Sequence, residues 1–303
     1  MEAKNLTRFW PLINSIIRAI WMRTEKHIEE AAVRKNIPVE LYYYSELGME
    51  FFSVKEFQRR DPFSNPEQFE KQFARLEIKD WIAPTRDNGR YEVREKARQA
   101  VRQIVQVGDE QLVQFAAGTY IDLRRLLSFL KQIVLANDAA PEPPEKWAIV
   151  KRFRVITRIS PVIVQIREQL MDLYAYRDDA HLSAARPYFN EAGIVWNAFS
   201  SVNSGKAVTA EKIAEGLSFR SYEESDYAAA LQAATEAGWI ESADIPDAYR
   251  PTRKGREMHE QVEKLTDEYF YRPWEMFSQN ELDEFYDLLT QLREQLQGVK
   301  KFA

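Results

Sequence analysis

Apolar residues recur every three or four positions along most of the chain, a spacing that is typical of amphipathic α-helices. The stretch NPEQFEKQFARLEI carries one apolar stripe, formed by Phe69, Phe73 and Leu76. The stretch SYEESDYAAALQAATE carries another, which includes Tyr227 and Leu231. After each stretch, short β-type segments surround the turn residues DNG or IPD, which favour hairpins. The pattern predicts a helix followed by a β-hairpin in both halves of the chain.

A shorter helix is predicted before each of these two helices. In the second half, Thr209 is placed to cap AEKIAEGL, in which Ile213 and Leu217 face one side. In the first half, SVKEFQRR takes the corresponding position. Pro66 then begins the next helix, because a helix tolerates proline in its first turn. A short helix, a turn, a second helix and a hairpin make a winged helix-turn-helix. We therefore predict a mostly α fold with small β-hairpin wings, in which two winged helix-turn-helix domains are linked by long helices in a pseudo-twofold arrangement.

The two halves of the chain also resemble each other in sequence. DWIAPTRDNGRYEVREKARQA aligns without a gap to GWIESADIPDAYRPTRKGREM, so that Trp81 matches Trp239 and Tyr91 matches Tyr249. Three further blocks match in the same order, which indicates a tandem duplication. Between the halves, the Pro-rich stretch NDAAPEPPEKW cannot continue a helix. The predicted organisation is a first helical and winged-helix repeat at 1–136, a linker at 137–147 and a second repeat at 148–303.

The passage from the second hairpin into the next helix resembles that of the MarR-type regulators. In PTRKGREM, Thr252 and Gly255 stand where that family has a threonine and a glycine after the wing. The C-terminal stretch SQNELDEFYDLLTQLREQL resembles the MarR dimerisation helix, and Ser278 with Glu281 forms a capping box there. The first copy departs from the family pattern at the junction after the wing.

This resemblance implies a DNA-binding transcriptional regulator that is modulated by a small-molecule effector bound between the helices. Because MarR-type regulators are ordinarily homodimers, a chain with two copies is expected to act as a pseudo-dimer and to be a monomer in solution. Half-sites on one face of DNA lie roughly 34 Å apart. An effector that changes the spacing of the two wings is therefore expected to release double-stranded DNA.

Candidate DNA-binding residues lie on the second helix and the wing of each copy, because that helix enters the major groove. On the helix of the first copy they are Asn65, Gln68, Lys71, Gln72 and Arg75. On the wings they are Arg86, Asn88 and Arg90 in the first copy and Arg250, Arg253 and Lys254 in the second. A solvated polar helix face accounts for the helix residues equally well. The helix of the second copy begins with acidic residues and has no Lys or Arg, so the copies are expected to contact DNA unequally.

The aromatic stretch LYYYSELGMEFF is a candidate part of the effector pocket. Three successive tyrosines cannot all face one side of a helix, so some of Tyr42, Tyr43 and Tyr44 can line a pocket for a small aromatic effector. His27 and His181 fall at corresponding places in the repeat and are candidates for the same pocket. The alternative is that the tyrosines pack in the core and the histidines are structural. The segment RDDAH offers too few ligands for a metal site.

Composition narrows the class of protein. Among 303 residues, 45% are hydrophobic and 29% are charged, as in a folded soluble protein. The chain has no cysteine, which excludes disulfides and thiolate metal sites. No signal peptide or membrane span is recognisable, so a cytoplasmic protein is expected. Because no phosphate-binding loop, nucleophile elbow or zinc-protease motif occurs, neither an enzyme nor a cofactor is expected. His259 is expected on a solvated helix surface.

Two other functions remain open from the sequence. The net charge of −5 and the acidic second helix weigh against DNA, so the chain can instead be a winged-helix scaffold that binds a protein partner or a small molecule and no longer binds DNA. A third possibility is a structural protein that oligomerises through its terminal helices. DNA binding through several phosphates weakens steeply with salt, whereas binding in an apolar pocket does not.

Overall fold

The computed structural model describes residues 5–45, 51–87, 89–152, 154, 160–190 and 193–298, with the backbone alone for 43–45. The elements of the first half are α1 (Phe9–Arg34), α2 (Glu40–Ser45), β1 (Phe51–Ser53), α3 (Val54–Arg60), α4 (Pro66–Ile78), β2 (Ile82–Pro84), β3 (Arg90–Val93), α5 (Glu95–Ala116) and α6 (Leu123–Ala139). Those of the second half are α7 (Ala148–Lys151), α8 (Val162–Phe189), α9 (Gly193–Asn203), α10 (Ala210–Gly216), α11 (Glu224–Glu236), β4 (Ile240–Ser242), β5 (Tyr249–Pro251), α12 (Arg253–Tyr271) and α13 (Gln279–Leu296). Short 3-10 helices follow α10 and α12.

Several predicted element boundaries are confirmed. Pro66 occupies the first turn of α4, where its missing N–H costs no hydrogen bond. Ser278 and Glu281 form the predicted capping box at the start of α13. The predicted linker begins inside α6, because that helix continues to Ala139 and Asn137 is fully buried.

Two compact units are present, and each combines segments from both halves of the sequence. The first unit consists of Met1–Glu50, Val93–Asp179 and Asp267–Ala303, and the second of Phe51–Glu92 and Ala180–Thr266. The division passes through α8 and α12, so each of these helices contributes residues to both units. The predicted fold class is confirmed as mostly helical with small antiparallel sheets.

In the first unit, α1 packs against α5 and α13. Its apolar stripe is buried, for example at Ile13 and Ile17. Gly108 of α5 allows a close approach of the two helices, because a Cβ there would lie 2.9 Å from Ile28 and 3.2 Å from Cβ of Thr24. The helix α1 is thereby held with its C-terminal half directly against α5.

The first unit also contains a buried network of charged side chains. Arg152 donates to Glu168 and Asp172, each at 2.9 Å. Arg167 donates to Glu168 at 2.6 Å and to Asp109 at 2.5 Å. Each buried charge thus has a partner of opposite sign, which offsets the cost of removing it from water.

The second unit contains two winged motifs, the first formed by β1, α3, α4, β2 and β3 and the second by α10, α11, β4 and β5. In the first winged motif the sheet order is β1-β3-β2, with Phe52 opposite Tyr91. In the second winged motif the sheet has only β4 and β5. There the backbone N of Tyr249 donates to the carbonyl oxygen of Val208 at 2.9 Å, which is the place that β1 takes in the first winged motif.

The predicted apolar stripes form the interiors of the two winged motifs. On α4, Phe69, Phe73 and Leu76 are buried, and on α11, Tyr227 and Leu231 are fully buried. The polar residues of α4 and α11 therefore lie on the sides of these helices that face away from the two interiors.

Candidate nucleic-acid interface

Both helix-turn-helix segments begin with the same side-chain cap. Oγ of Ser53 accepts from the backbone N of Glu56 at 3.2 Å at the start of α3. Oγ1 of Thr209 accepts from the backbone N of Lys212 at 3.3 Å at the start of α10. A cap of this type satisfies one of the free N–H groups of a helix start. It fixes where the first helix of each winged motif begins, and the cap at Thr209 was predicted.

We call the second helix of each winged motif, α4 or α11, its recognition helix. The turn from this helix into the wing has the same geometry in both motifs. The backbone N of Trp81 and that of Trp239 each donate at 2.9 Å to the carbonyl oxygen five residues earlier. The preceding residues, Asp80 and Gly238, have positive φ angles of 56° and 73°. A left-handed residue at this position ends the helix and turns the chain into the wing. The second winged motif uses glycine there, which adopts this conformation without strain.

On the recognition helix of the first winged motif, α4, the predicted cations face solvent. Arg75 is exposed and has no side-chain partner among the described residues. Lys71 is exposed and lies 3.4 Å from Glu67 in an i,i+4 pair of small energetic weight. Gln68 and Gln72 are half-buried, and their side-chain oxygens are buried without a hydrogen-bond partner in the described part of the chain.

Asn65, the remaining predicted residue of this helix, has a structural role that the sequence did not predict. Its Oδ1 accepts from the backbone N of Glu67 at 3.0 Å, which makes it the N-cap of α4. Its Nδ2 donates to the carbonyl oxygen of Ser221 at 3.0 Å. Both polar atoms of the amide are thus engaged within the second unit.

The wing of the first winged motif presents one free arginine. Arg86 is exposed and has no side-chain partner among the described residues. Arg90 is half-buried, lies 3.2 Å from Glu56 and is placed over the ring of Phe51 at 6.0 Å. Asn88, predicted at the wing tip, lies outside the described residues. Arg86 is therefore better placed than Arg90 to reach a ligand in solvent.

The predicted cations of the second winged motif and of the adjoining start of α12 are engaged by their own neighbours. Arg250 lies 2.9 Å from Glu241 across the hairpin. Arg253 lies 2.6 Å from Glu257 on α12. Nζ of Lys254 donates at 2.7 Å to the backbone carbonyl that ends α11. Since α11 itself carries no Lys or Arg, the predicted cations of this motif offer less free positive charge than those of the first.

The acidic residues that begin α11 form its N-terminal cap. Glu223 precedes the helix, and its backbone N donates to the carboxylate of Asp226 at 2.9 Å in a capping box. Negative side chains stabilise a helix N-terminus, where the N–H groups are free. The acidic first turn is therefore explained by helix stability without any ligand.

The junction after the second wing shows why a threonine and a glycine are needed there. Oγ1 of Thr252 donates to the carbonyl oxygen of Gly238 at 2.7 Å and accepts from the backbone N of Gly255 at 3.0 Å. A Cβ at Gly255 would lie 2.1 Å from the carbonyl oxygen of Trp239, closer than any real contact. The two residues thus bind the start of α12 to the start of the wing.

The two winged motifs contact each other through Arg220, at a site we call the motif contact. The Arg220 guanidinium is bonded to the carboxylate of Asp61 and to Oγ of Ser64, the latter at 3.1 Å. It lies over the rings of Phe63 at 5.3 Å and Phe219 at 5.0 Å. One of the matching blocks aligns FFSVKEFQRRDPF with AVTAEKIAEGLSF, so that Phe63 corresponds to Phe219. Equivalent positions of the two copies therefore meet here.

The motif contact brings the starts of the two recognition helices together. The backbone N of Asn65, next to α4, donates to the carbonyl oxygen of Arg220 at 2.9 Å, and α11 begins four residues later at Glu224. Each residue extends the chain by at most about 3.5 Å. The four residues to Glu224, the hydrogen bond and the step from Asn65 to Pro66 therefore place the two helix starts within roughly 25 Å of each other. This upper limit is smaller than the roughly 34 Å that separates half-sites on one face of DNA.

The predicted effector residues divide between the two units. A cavity of about 240 Å³ in the first unit is lined by Tyr42, together with Trp21 and Tyr174. His27 of the first unit and His181 of the second are not part of this lining. The side chains of Tyr43 and Tyr44 lie outside the described residues.

His259 is half-buried, contrary to the expectation of a solvated surface position. Its ring lies parallel to that of Trp196 at 6.3 Å and edge-on to Phe199 at 6.1 Å. The ring of His181 also lies 6.2 Å from that of Trp196, and Nδ1 of His181 is 3.5 Å from Glu263. The expectation failed because α9, which carries Trp196 and Phe199, covers this face of α12.

Metal-binding clusters and membrane-spanning helices are both absent from the described residues. No group of three or more His, Asp or Glu side chains within the described ranges is arranged to hold a metal ion. Of the helices in the same ranges, none is both long and apolar enough to cross a membrane.

Residues 191–302 match the model of a helix-turn-helix family. The matched region contains the second winged motif and the helices α12 and α13. No curated protein and no solved structure matches the chain. Residues 191–302 therefore contain a helix-turn-helix domain, the kind of domain with which regulators bind DNA.

Proposed function

We propose that the chain is a transcriptional regulator of MarR-like type that binds duplex DNA chiefly through its first winged motif. The observation that carries this proposal is a pair of exposed arginines of that motif, Arg75 on the recognition helix and Arg86 on the wing. Neither has a side-chain partner within the part of the chain that the structure describes. A recognition helix and a wing contact DNA together, the helix in the major groove and the wing at the flanking backbone or minor groove.

The strength of this binding follows from the number of phosphates that are neutralised. If Lys71, Arg75 and Arg86 each neutralise one phosphate, the slope of log affinity against log salt is about −3. Raising the salt from 50 to 200 mM then weakens binding roughly 40-fold. Such a small positive surface gives weak binding to random DNA, and specific binding requires base contacts in addition.

Duplication of an ancestral winged-helix chain accounts for the architecture. The same order of elements occurs twice, with the same cap at Ser53 and Thr209 and the same bond at Trp81 and Trp239. The meeting of equivalent positions at the motif contact is what a pseudo-twofold axis through that site would produce. These observations support a single-chain pseudo-dimer.

The separation of the recognition helices determines how DNA is met. With helix starts within roughly 25 Å, both helices cannot enter successive major grooves roughly 34 Å apart through those ends. We infer that one motif, the first, reads the DNA in this arrangement. Opening of the motif contact would be required before both motifs could read it.

We further propose that a small-molecule effector regulates DNA binding. A small molecule bound in the cavity of the first unit would change DNA affinity by favouring one conformation over another. Met171 and Tyr174, which line the cavity, belong to α8, and Ala180–Phe189 of the same helix belong to the second unit. This continuity of the chain supports a route from the cavity to the unit that carries the winged motifs.

The direct test is a fluorescence-anisotropy titration of the protein with labelled random-sequence duplex DNA at several salt concentrations. The proposal expects binding at low salt with a slope near −3, followed by selection of a tighter site from a random library. Absence of binding at 20 mM salt, or affinity that does not change with salt, would contradict it.

A second candidate function is a winged-helix scaffold that binds a protein or small molecule and has lost DNA. Two observations favour it: the second recognition helix has no Lys or Arg, and the amide of Asn65 is engaged at the motif contact. If the protein is such a scaffold, it binds no DNA at any salt concentration but still binds a ligand in the cavity of the first unit. The titration above therefore separates the two candidates.

A further inference from the structure

We infer that the cavity of the first unit binds an organic cation with one aromatic or aliphatic ring. The cavity is lined by α1, α2 and α8, and this inference names the class of effector for the proposed function. Only the predicted effect of the ligand on DNA affinity rests on the proposed function, because binding to the cavity is measured without DNA.

The walls of the cavity are mostly aromatic. Trp21 of α1 and Tyr174 of α8 meet edge to face, with ring centroids 5.7 Å apart and planes at 67°. Tyr42 of α2 completes the aromatic lining. The faces of such rings are electron-rich and attract cations, and Trp does so most strongly.

Glu25 supplies a negative charge beside these rings. It is the charged member among the described lining residues, and it is exposed, so it lies at the mouth rather than in the interior. On α1 it follows Trp21 by one turn, and Ile28 comes one turn further along the same face. A ligand whose ring lies among the aromatic side chains can therefore direct a positive head toward the Glu25 carboxylate.

Two cations near Glu25 on α1 contact other residues. The guanidinium of Arg23 lies over the ring of Phe115 at 5.0 Å, and Lys26 lies 3.9 Å from Glu30. Neither cation lines the cavity. The described lining thus contains one carboxylate and no Lys or Arg, which favours a positive over a negative ligand.

The size of the cavity limits the ligand. An apolar cavity of about 150 Å³ holds one benzene molecule, and this cavity is larger, at about 240 Å³. The additional space accommodates a small substituent, such as a methylated amine. Met171 and Ile28 line its apolar part, and the flexible thioether of Met171 adapts to ligands of different shape.

The test is isothermal titration calorimetry of the full chain with three probes of similar size: benzyltrimethylammonium, benzyl methyl ether and phenylacetate. We expect the cation to bind most tightly and phenylacetate at least about tenfold more weakly, since only the cation gains from Glu25 and from the ring faces. Failure of all three probes to bind, or equal affinity for the cation and the anion, would overturn the inference.

The charge is tested by Glu25→Gln, which keeps the shape of the side chain. Because the carboxylate is exposed, we expect the affinity for benzyltrimethylammonium to fall about threefold to fivefold, with no change for the neutral ether. The matched control is Glu29→Gln, which removes the same charge one turn later on α1, outside the cavity lining. Equal loss of cation affinity in both variants would show that long-range charge, not the site, attracts the cation.

The consequence for DNA is a separate measurement. Saturating benzyltrimethylammonium is expected to change the affinity for DNA at least fivefold in the wild type. If the probe binds but DNA affinity does not change, the site is supported and its role as an effector site is contradicted. If no DNA binds at all, the proposed function fails while the calorimetry still decides the ligand class.

Discussion

Gly255, at the junction after the second wing, occupies a position in which no side chain fits. A Cβ there would lie 2.1 Å from the carbonyl oxygen of Trp239 and 3.1 Å from Cε2 of Phe199. We predict that Gly255→Ala lowers the free energy of unfolding by about 2–3 kcal/mol, because α12 must shift away from the wing. Urea denaturation followed by circular dichroism measures this change.

The matched control for that substitution is Gly216→Ala. Gly216 ends α10, and a Cβ built on it meets no atom within 4 Å. Alanine is the better helix former, so this variant should be unchanged or more stable by up to about 1 kcal/mol. Equal destabilisation by both substitutions would contradict the close contact at Gly255.

Asp109 is the residue from which a pH dependence is expected. Burial raises the pKa of its carboxyl to about 6, against the opposing effect of the Arg167 guanidinium. A pKa raised on folding adds stability below about pH 4, which is lost as the pH rises through 6. Since a tenfold change in acid strength is worth about 1.4 kcal/mol, the wild type should lose up to about 3 kcal/mol between pH 4 and pH 7.

The variant Asp109→Asn isolates this contribution, because an amide does not ionise. Asp172 also has a pKa raised by burial, so some pH dependence remains in the variant. We predict a flatter stability profile between pH 4 and pH 7 than in the wild type, measured by urea denaturation at each pH. Identical slopes for the two proteins would contradict a raised pKa at Asp109.

At the scale of single residues, the sequence predicted what depends on near neighbours. The cap at Thr209, the capping box of Ser278 and Glu281 and the place of Pro66 are local and were confirmed. The partners of Arg220 could not be predicted, because they lie more than 150 positions away in the sequence. The packing of His259 on Trp196 was missed for the same reason.

Among the elements, the motif contact is where two recognition helices are held together. Arg220 and Asp61 are partly buried, and the guanidinium also packs between Phe63 and Phe219. We predict a coupling energy of about 1–2 kcal/mol between Arg220 and Asp61. A double-mutant cycle of unfolding free energies with Arg220→Ala and Asp61→Ala measures it, and additive effects of the two substitutions would contradict the pair.

Helices were easier to predict than strands for a physical reason. A helix such as α4 has its hydrogen bonds within one segment and an apolar stripe that is visible in the sequence. The strand β1 has only three residues, and its partner β3 is separated from it in the sequence by α3, α4 and β2. Its stability depends on a distant partner, so no local pattern indicated it. The hairpins were predicted because their turns bring neighbouring strands together.

For the whole molecule, the order of elements was predictable and their grouping was not. Both halves were expected to carry a winged helix-turn-helix, and both carry the elements of one. The compact units cut across the halves, so that the two winged motifs belong to one unit. Which helices associate is decided by complementary apolar faces, and many helices of this chain have similar faces. Sequence periodicity does not distinguish among such partners.

A single-chain pseudo-dimer predicts a definite mass in solution. Because the chain supplies both copies of the winged motif, no second chain is needed, and the protein should sediment as a monomer of 35.6 kDa at micromolar concentration. Sedimentation-velocity ultracentrifugation measures this. A concentration-independent species of twice that mass would favour a homodimer and contradict the pseudo-dimer.

The central claim is that DNA is bound chiefly by the first winged motif, and one comparison of variants tests it most directly. The variant Arg75→Ala/Arg86→Ala removes the two arginines of that motif that have no side-chain partner among the described residues. The variant Arg250→Ala/Arg253→Ala removes the same charge from the second hairpin and the start of α12, where both arginines are ion-paired. Fluorescence anisotropy with duplex DNA at low salt is measured for each variant and the wild type.

We predict that the first variant loses at least about tenfold in affinity and that its salt slope becomes less steep by about two. The second variant should remain within about twofold of the wild type. The opposite ranking, or equal loss in both variants, would contradict the account.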